Sequence, residues 1–163
     1  MTPQGPVSDR ASAQAAVDIA ADPDAVYRLL TNLATLAELA EETTAMRWKK
    51  GPGTDGAVRP GAVFVGSNRN GSRSWNTTCT VTEATAGRSF AFDVRSLGIP
   101  VARWRYDIEE RPGGCRVTER TWDQRPGWFR TVAGLATGVK DRTSANQRHI
   151  EATLDRLRVR AER

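Results

Sequence analysis

Histidine and cysteine are scarce in this sequence of 163 residues, which has one of the former and two of the latter. Two cysteines do not make a disulfide framework, and with a single histidine they are too few for the usual zinc sites. We therefore expect no disulfide and no metal. No run approaches the roughly 18 apolar residues of a membrane span. The start of the chain has neither a basic region nor an apolar stretch, so we expect no secretory signal and a cytoplasmic location.

Several motifs of catalysis and cofactor binding are missing from the sequence. It has no phosphate-binding P-loop, no glycine-rich dinucleotide motif after a strand, and no nucleophile elbow. The one histidine has no serine or cysteine in a setting that would complete a catalytic triad. These absences disfavour a kinase, a dehydrogenase or a hydrolase, and no cofactor is expected.

Composition and charge describe an ordinary globular chain with a basic end. Hydrophobic residues make up 39% and charged residues 26% of the sequence, which excludes wholesale disorder. Residues 1–10 are rich in proline, glycine and serine, so we expect a loose tail there, and the chain length predicts a single domain at 11–163. Residues 120–163 contain 10 basic and 5 acidic residues, and the first 119 contain 14 of each, so the net charge of +5 lies entirely in the C-terminal part. A basic helix could dock on nucleic acid or an anionic membrane. We favour the alternative, a solvated helix face, and rank both partners below it.

The hydrophobic periodicity changes along the chain and predicts the order of elements. A strand at 12–20 is followed by two short helices, one starting at Asp22-Pro23 and one ending by Glu41. Alternating segments separated by short turns predict six more strands, at 44–50, 62–70, 72–83, 88–96, 101–111 and 115–123. A helical stripe then runs from about 126 to 160. The predicted α+β fold is β-α-α-β6-α, a curved antiparallel seven-stranded sheet wrapped around one long C-terminal helix, with a cavity between them.

Strand parity predicts which side chains face this cavity. The Asn70-Gly71 turn pairs Arg69 with Ser72 and puts Gly66 opposite Trp75. The side chains assigned inward are Phe64, Asn68, Arg73, Trp75 and Thr77 on the hairpin, Phe92, Trp104, Tyr106, Val117 and Glu119 on later strands, and Thr143 and Asn146 on the closing helix. The aromatic members fit a packed core as well as ligand contacts, and core is the more frequent role. His149, one position off the helical stripe, fits the rim better than a catalytic position.

Glu119 is the one carboxylate on this apolar face, and two interpretations stay open. Its carboxyl group could reach water at the end of the strand, or it could form an ion pair with Arg73 or Arg142. Alternatively it faces a ligand, in which case burial would raise its pKa, as is common at functional sites.

Several strings carry a resemblance to a known superfamily: VDIAADPDAVY at 17–27, LLTN at 29–32, PGAVFVGSNRNG at 60–71, WRY at 104–106, GCRVTE at 114–119 and TLDRL at 153–157. With Trp75, they resemble the SRPBCC superfamily of START-related helix-grip proteins, in particular its polyketide cyclase/dehydrase-like bacterial branch. The resemblance implies a helix-grip fold. The superfamily includes cyclases and dehydratases of aromatic polyketides and carriers of lipids, sterols and quinones. Its cyclases hold a poly-β-ketone with polar pocket residues, and the candidates for that role here are Arg73, Tyr106 and Asn146.

Three functional hypotheses follow. The first is a protein that binds a small hydrophobic or aromatic molecule in an internal cavity, with cyclase or dehydratase activity in which Glu119 is the base and Tyr106 and Arg73 are donors. The second is a non-enzymatic carrier of a lipid or quinone, indicated by an inner face with few polar groups. The third, ranked well below these, is an interaction module that docks through its basic C-terminal helix.

Overall fold

A computed structural model describes residues 10–138 and 141–163, so the predicted tail lies almost entirely outside the described residues. The elements in chain order are β1 (Ala13–Ile19), α1 (Pro23–Thr31), α2 (Leu33–Leu39), β2 (Thr43–Lys50), β3 (Val63–Asn70), β4 (Arg73–Thr85), β5 (Ser89–Ser96), β6 (Ile99–Arg111), β7 (Gly114–Asp123), α3 (Gly127–Thr137) and α4 (Arg142–Ala161). The strands form one antiparallel sheet in the order β1-β7-β6-β5-β4-β3-β2. The helix-grip arrangement of a seven-stranded sheet and a long C-terminal helix is therefore confirmed.

Local signals explain the two short helices after β1. Pro23 starts α1, where its missing N–H is not needed and its fixed φ suits the helix. The buried side chains of α1 are Val26 and Leu30, one turn apart. Asn32 ends α1 and caps α2, since its side-chain oxygen accepts a hydrogen bond from the backbone N–H of Thr35 at 3.2 Å. Asn32 itself has an extended backbone, with φ −86° and ψ 109°, and so separates the two helices.

The β3–β4 hairpin differs from its predicted register by two residues. Asn70 pairs with Arg73, so the two-residue turn is Gly71-Ser72 rather than Asn70-Gly71. The left-handed φ of +61° at Gly71 explains the difference, because the first position of such a turn favours glycine. Gly66 consequently lies opposite Thr77, not Trp75. A shift of two residues keeps side-chain parity, so the predicted faces of the strands survive the wrong register.

The single helix predicted over 126–160 is two helices. Gly138 has a φ of +74°, a left-handed conformation that follows the last residue of α3. Asp141 then caps α4, its carboxylate accepting a hydrogen bond from the backbone N–H of Ser144 at 3.1 Å. The apolar stripe continues across this break, which is why periodicity alone did not reveal it.

The core fills one end of the curved sheet. Helix α4 packs on β1 and β7, and it buries Ile150, Leu154 and Leu157. Helices α1 and α2 pack against α4, and α2 also packs on β2. Helix α3 instead packs on β4, away from these contacts. The space between α3, α4 and the remaining concave surface of the sheet is the candidate site.

Candidate functional site

A cavity of about 510 Å³ lies between the sheet, α3 and α4. Strands β3 to β7 supply its floor, while the C-terminal end of α2 and the start of β2 close one side. Helix α3 contributes Phe129, Val132 and Ala133, and α4 contributes Asn146, His149 and Thr153. The size lies within the roughly 300–1,000 Å³ that is usual for small-molecule sites.

Most of the residues predicted to face the cavity do line it. The structure brings together Asn68, Trp75, Thr77, Phe92, Trp104, Tyr106, Glu119 and Asn146. Parity along each strand was enough to find all of them except Asn146, because alternate side chains point to opposite faces of a sheet. Asn146 was found from the apolar stripe of the closing helix.

Two of the predicted ligand contacts are core residues instead. Phe64 is fully buried and packs edge-on against Trp48 and Phe92, with ring centroids 5.6 and 5.1 Å apart. Val117 is also fully buried, opposite Val17 of β1. Both lie on the predicted face, but neighbouring side chains cover them, so neither reaches the cavity lining.

Arg73 and Thr143 also lie outside the lining, and both are exposed. Arg73 is near the end of the β3–β4 hairpin, where its Nε donates a hydrogen bond to the carbonyl of Leu135 at 3.1 Å. Thr143 is in the first turn of α4, which begins only at Arg142. Their assignment to the site is therefore wrong. The register error affects Arg73, because pairing it with Asn70 places it next to the turn.

Glu119 occupies the deepest polar position of the site. It is only 2% exposed and lies directly opposite Tyr106 in the register of β6 and β7. Its Oε2 atom is buried without a hydrogen-bond partner among the described residues. The two arginines considered as partners are engaged elsewhere, Arg73 with Leu135 and Arg142 with Glu42. The interpretation of Glu119 as a solvated or arginine-paired strand residue is therefore wrong.

Burial decides the protonation of this pair. Desolvation raises the pKa of Glu119 to about 8, against a smaller lowering by its hydrogen bond with Tyr106. Burial also raises the pKa of Tyr106 well above its usual value, and the adjacent carboxyl adds to that shift. Near pH 7 both groups are consequently neutral, and each carries a proton that it can donate.

Asn68 and Thr77 form a second polar group, on the β3–β4 side of the cavity. The Asn68 amide donates to Thr77 Oγ1 at 3.2 Å and accepts from Thr43 Oγ1 at 3.1 Å. These bonds hold the amide within the sheet. Asn68 is therefore a fixed part of the wall and has less capacity for a ligand than Asn146, which is 7% exposed on α4 and lines the cavity.

A charged cluster at the start of α4 borders the cavity, and the sequence did not predict the ion pair at its centre. Arg142 bonds to Glu42 at 2.6 Å and to the hydroxyl of Thr137 at 3.0 Å. His149 Nδ1 lies 3.5 Å from the same Glu42 carboxylate, and burial lowers the pKa of the imidazole. His149 is 26% exposed, so the predicted rim position is confirmed. Arg142 and Glu42 are 100 residues apart in the chain, and no local pattern connects them.

Within the described part of the chain, no group of three or more histidine, cysteine, aspartate or glutamate residues is placed to hold a metal ion. Among the same residues, no helix is long and apolar enough to cross a membrane. Cys79 and Cys115 are buried free thiols.

Comparison with protein families gives a match that spans nearly the whole sequence. A family described as polyketide cyclase / dehydrase and lipid transport matches residues 10–162. The chain belongs to this family. The resemblance inferred from the sequence strings is thereby confirmed. None of the curated proteins matches the chain.

Several solved structures share this fold at low sequence identity. A polyketide-cyclase-like protein of Corynebacterium glutamicum, determined by solution NMR, is 24% identical, with a TM-score of 0.60 and coverage of 92% of this chain and 91% of that one. The di-domain aromatase/cyclase StfQ of the steffimycin biosynthetic pathway is 13% identical, with a TM-score of 0.69 and coverage of 91% and 50%. The corresponding di-domain protein BexL, of the BE-7585A pathway, is 19% identical, with a TM-score of 0.66 and coverage of 92% and 49%. This chain thus spans about half the length of the two di-domain proteins.

Proposed function

We propose that this protein binds a small, largely apolar molecule that carries a carbonyl oxygen, and that it catalyses a cyclase- or dehydratase-like reaction on it. One observation carries the proposal: a buried carboxyl group, that of Glu119, has an oxygen unpartnered among the described residues and lines a mostly apolar cavity. An unpaired polar atom at that depth is costly for folding, roughly 1–3 kcal/mol. A ligand atom that hydrogen-bonds to it would offset this cost.

The protonation of the site determines which ligand atom fits. With a pKa of about 8, Glu119 is protonated near pH 7 and donates a hydrogen bond. A carbonyl or hydroxyl oxygen is the complementary acceptor. The aromatic walls formed by Phe92 and Trp104 suit a planar or extended carbon skeleton around that oxygen.

The same geometry suits an aldol-type ring closure. Glu119 would give its proton to the acceptor carbonyl oxygen while a carbon–carbon bond forms between the carbonyl carbon and an enol carbon of the same ligand. The enol hydroxyl loses its proton to the carboxylate, which restores Glu119, and the Tyr106 hydroxyl helps to stabilise charge on oxygen. The carboxyl is therefore assigned as an acid first, in place of the base expected from the sequence. Arg73 has no part, because it lies outside the cavity.

The apolar lining also favours a second candidate, a carrier of a lipid or quinone. Much of the cavity lining is apolar, and it includes Phe92, Val94, Val101 and Phe129. Such a lining binds an apolar ligand without reacting with it. A carrier would use Glu119 only as a hydrogen-bond donor. Docking through the basic C-terminal helix has less support, since Arg142, Arg156 and Arg160 of α4 pair with carboxylates within the protein.

Ligand binding is tested with a neutral aromatic ketone dye such as Nile red. Wild-type binding should be strong below the pKa of Glu119 and weaker, by about tenfold, above it, because the ionised carboxylate no longer donates. The variant Glu119→Gln, which keeps a donor and does not titrate, should bind equally at both pH values. Glu83→Gln is the matched control, because Glu83 lies outside the cavity lining and bonds to Arg105 and Ser89. Equal pH dependence in wild type and Glu119→Gln would count against the role of Glu119 in binding.

Catalysis is tested on a synthetic poly-β-ketone thioester, with cyclised product followed by mass spectrometry. We expect turnover by wild type and Glu83→Gln and none by Glu119→Gln, whose dye binding is retained. Unchanged turnover in Glu119→Gln would remove this residue from the mechanism. Dye binding without turnover in the wild type would favour the carrier, and native mass spectrometry of protein purified from its own source would then identify the cargo.

A further inference from the structure

Exposed apolar side chains gather around the mouth of the cavity. Five large hydrophobic residues are exposed in the described part of the chain, and all but Val159 lie on the β5–β6 hairpin or on α3, two elements that contribute to the cavity lining. Leu97 is 95% exposed at the tip of the β5–β6 hairpin, and Trp128, Val132 and Leu135 are 63%, 53% and 74% exposed on α3. Leu97 and Val132 line the cavity itself, which places the hairpin and the helix on the same opening. We call these four side chains the mouth patch.

Helix α3 presents the patch as a stripe. Its inner face buries Phe129 and Ala133, one turn apart. Trp128, Val132 and Leu135 recur at intervals of four and three residues and therefore share one outer face. A helix that is apolar on both faces, with only one face packed on the protein, indicates a second apolar contact.

The conformation of Leu97 is a separate observation. It has a φ of +53°, in a two-residue turn with Gly98 where asparagine or glycine is normally preferred. A leucine at this position has a strained backbone, and its exposed side chain makes almost no packing contacts that would offset the strain. The protein therefore places an apolar side chain in solvent at a position that does not favour it.

Exposed arginines lie next to the mouth patch. Arg73 borders Leu135 through its bond to that residue's carbonyl, and Arg95 precedes the hairpin tip. Arg130 lies on α3 with its side chain 56% exposed, and its Nε is 3.8 Å from the carboxylate of Asp123. Residues 94–106 and 124–138 contain no aspartate or glutamate. A second copy of the same patch would bring these arginines together, which disfavours self-association. An anionic surface would instead be attracted to them.

We propose that the mouth patch docks on an anionic lipid bilayer and that the cavity opens toward the membrane. Isolated protruding side chains suit a fluid interface, which requires no shape complementarity. Tryptophan and leucine are side chains that partition into that interface, and nearby arginines pair with lipid phosphates. An apolar ligand could then enter the cavity directly from the bilayer. The proposal stands apart from the catalytic one, since docking needs neither a bound ligand nor Glu119.

The test is sedimentation with vesicles of phosphatidylglycerol and phosphatidylcholine, compared with phosphatidylcholine alone. We expect the wild type to bind the anionic vesicles and to dissociate as salt is raised. The double variant Trp128→Ser/Leu135→Ser should lower the partition coefficient by about tenfold or more, because it removes two inserting side chains. Val159→Ser is the matched control, an exposed apolar residue on α4 that lies outside the patch. Circular dichroism checks that each variant is folded.

A second variant tests the electrostatic contribution to vesicle binding separately from the apolar one. Arg95→Gln/Arg130→Gln should weaken binding to anionic vesicles and flatten its salt dependence, while leaving the apolar stripe intact. Absence of binding to anionic vesicles would overturn the proposal. So would binding that Trp128→Ser/Leu135→Ser leaves unchanged. A dimer in light scattering that this variant abolishes would also overturn it, in favour of a second copy of the chain as the occupant.

Discussion

The buried carboxyl of Glu119 makes the stability of this protein depend on pH in a specific direction. Its pKa rises from 4.5 to about 8 on folding, chiefly through desolvation. Between these values the unfolded chain has lost a proton that the folded protein keeps. The free energy of unfolding therefore falls as the pH rises through this window, and the contribution of Glu119 is constant below and above it.

The magnitude follows from the size of the pKa shift. The difference between 8 and 4.5 is about 3.5 units, and each unit corresponds to about 1.36 kcal/mol, so the full effect is about 5 kcal/mol. At pH 7 the distance from 4.5 is 2.5 units, and the loss is about 3 kcal/mol. Glu119→Gln removes the titration. Its stability relative to wild type should therefore rise by about 3 kcal/mol between pH 4.5 and pH 7.

Urea denaturation of both proteins across this range measures the effect. Taking the difference between variant and wild type cancels the titration of other groups, including His149, whose lowered pKa acts in the opposite direction. Glu83→Gln is the control, because the hydrogen bond from Arg105 lowers the pKa of Glu83 and moves its effect below this window. If wild type and Glu119→Gln have parallel stability curves from pH 4.5 to 8, the carboxyl is not buried as described and the reasoning fails.

Three further substitutions test the fold by their effect on the free energy of unfolding in urea. Phe64→Ala removes a fully buried ring and should cost about 3–5 kcal/mol; a loss below about 1 kcal/mol would show that the site is not packed as described. Gly114→Ala would place a Cβ 2.0 Å from the carbonyl oxygen of Ile19, so β1 must shift, and the expected loss is at least about 2 kcal/mol. Wild-type stability there would contradict the β1–β7 pairing. Asn32→Ala removes the cap of α2 and should cost about 1 kcal/mol, whereas Asn32→Ser should recover most of it.

The path of the chain was predictable because its signals are local. Alternation marked each strand, Asp22-Pro23 marked the start of the first short helix, and short turns required an antiparallel order. Side-chain parity then placed Glu119 and Tyr106 on one inner face. Parity survived even the wrong register of the β3–β4 hairpin, since the error was an even number of residues.

The tertiary structure decided what each inward side chain does. Phe64 and Glu119 share the same face, yet packing covers the first and leaves an oxygen of the second beside the cavity. The contact between Glu42 and Arg142 joins segments 100 residues apart, and the break at Gly138 separates α3 from α4, which both line the cavity. By itself, the sequence determined the strands and helices and the face that each one buries. The signals were apolar residues that recur every two residues in the strands and every 3.6 residues in the helices. The cavity, the buried carboxyl inside it and its apolar rim depend on distances between remote segments, which only the packed structure sets.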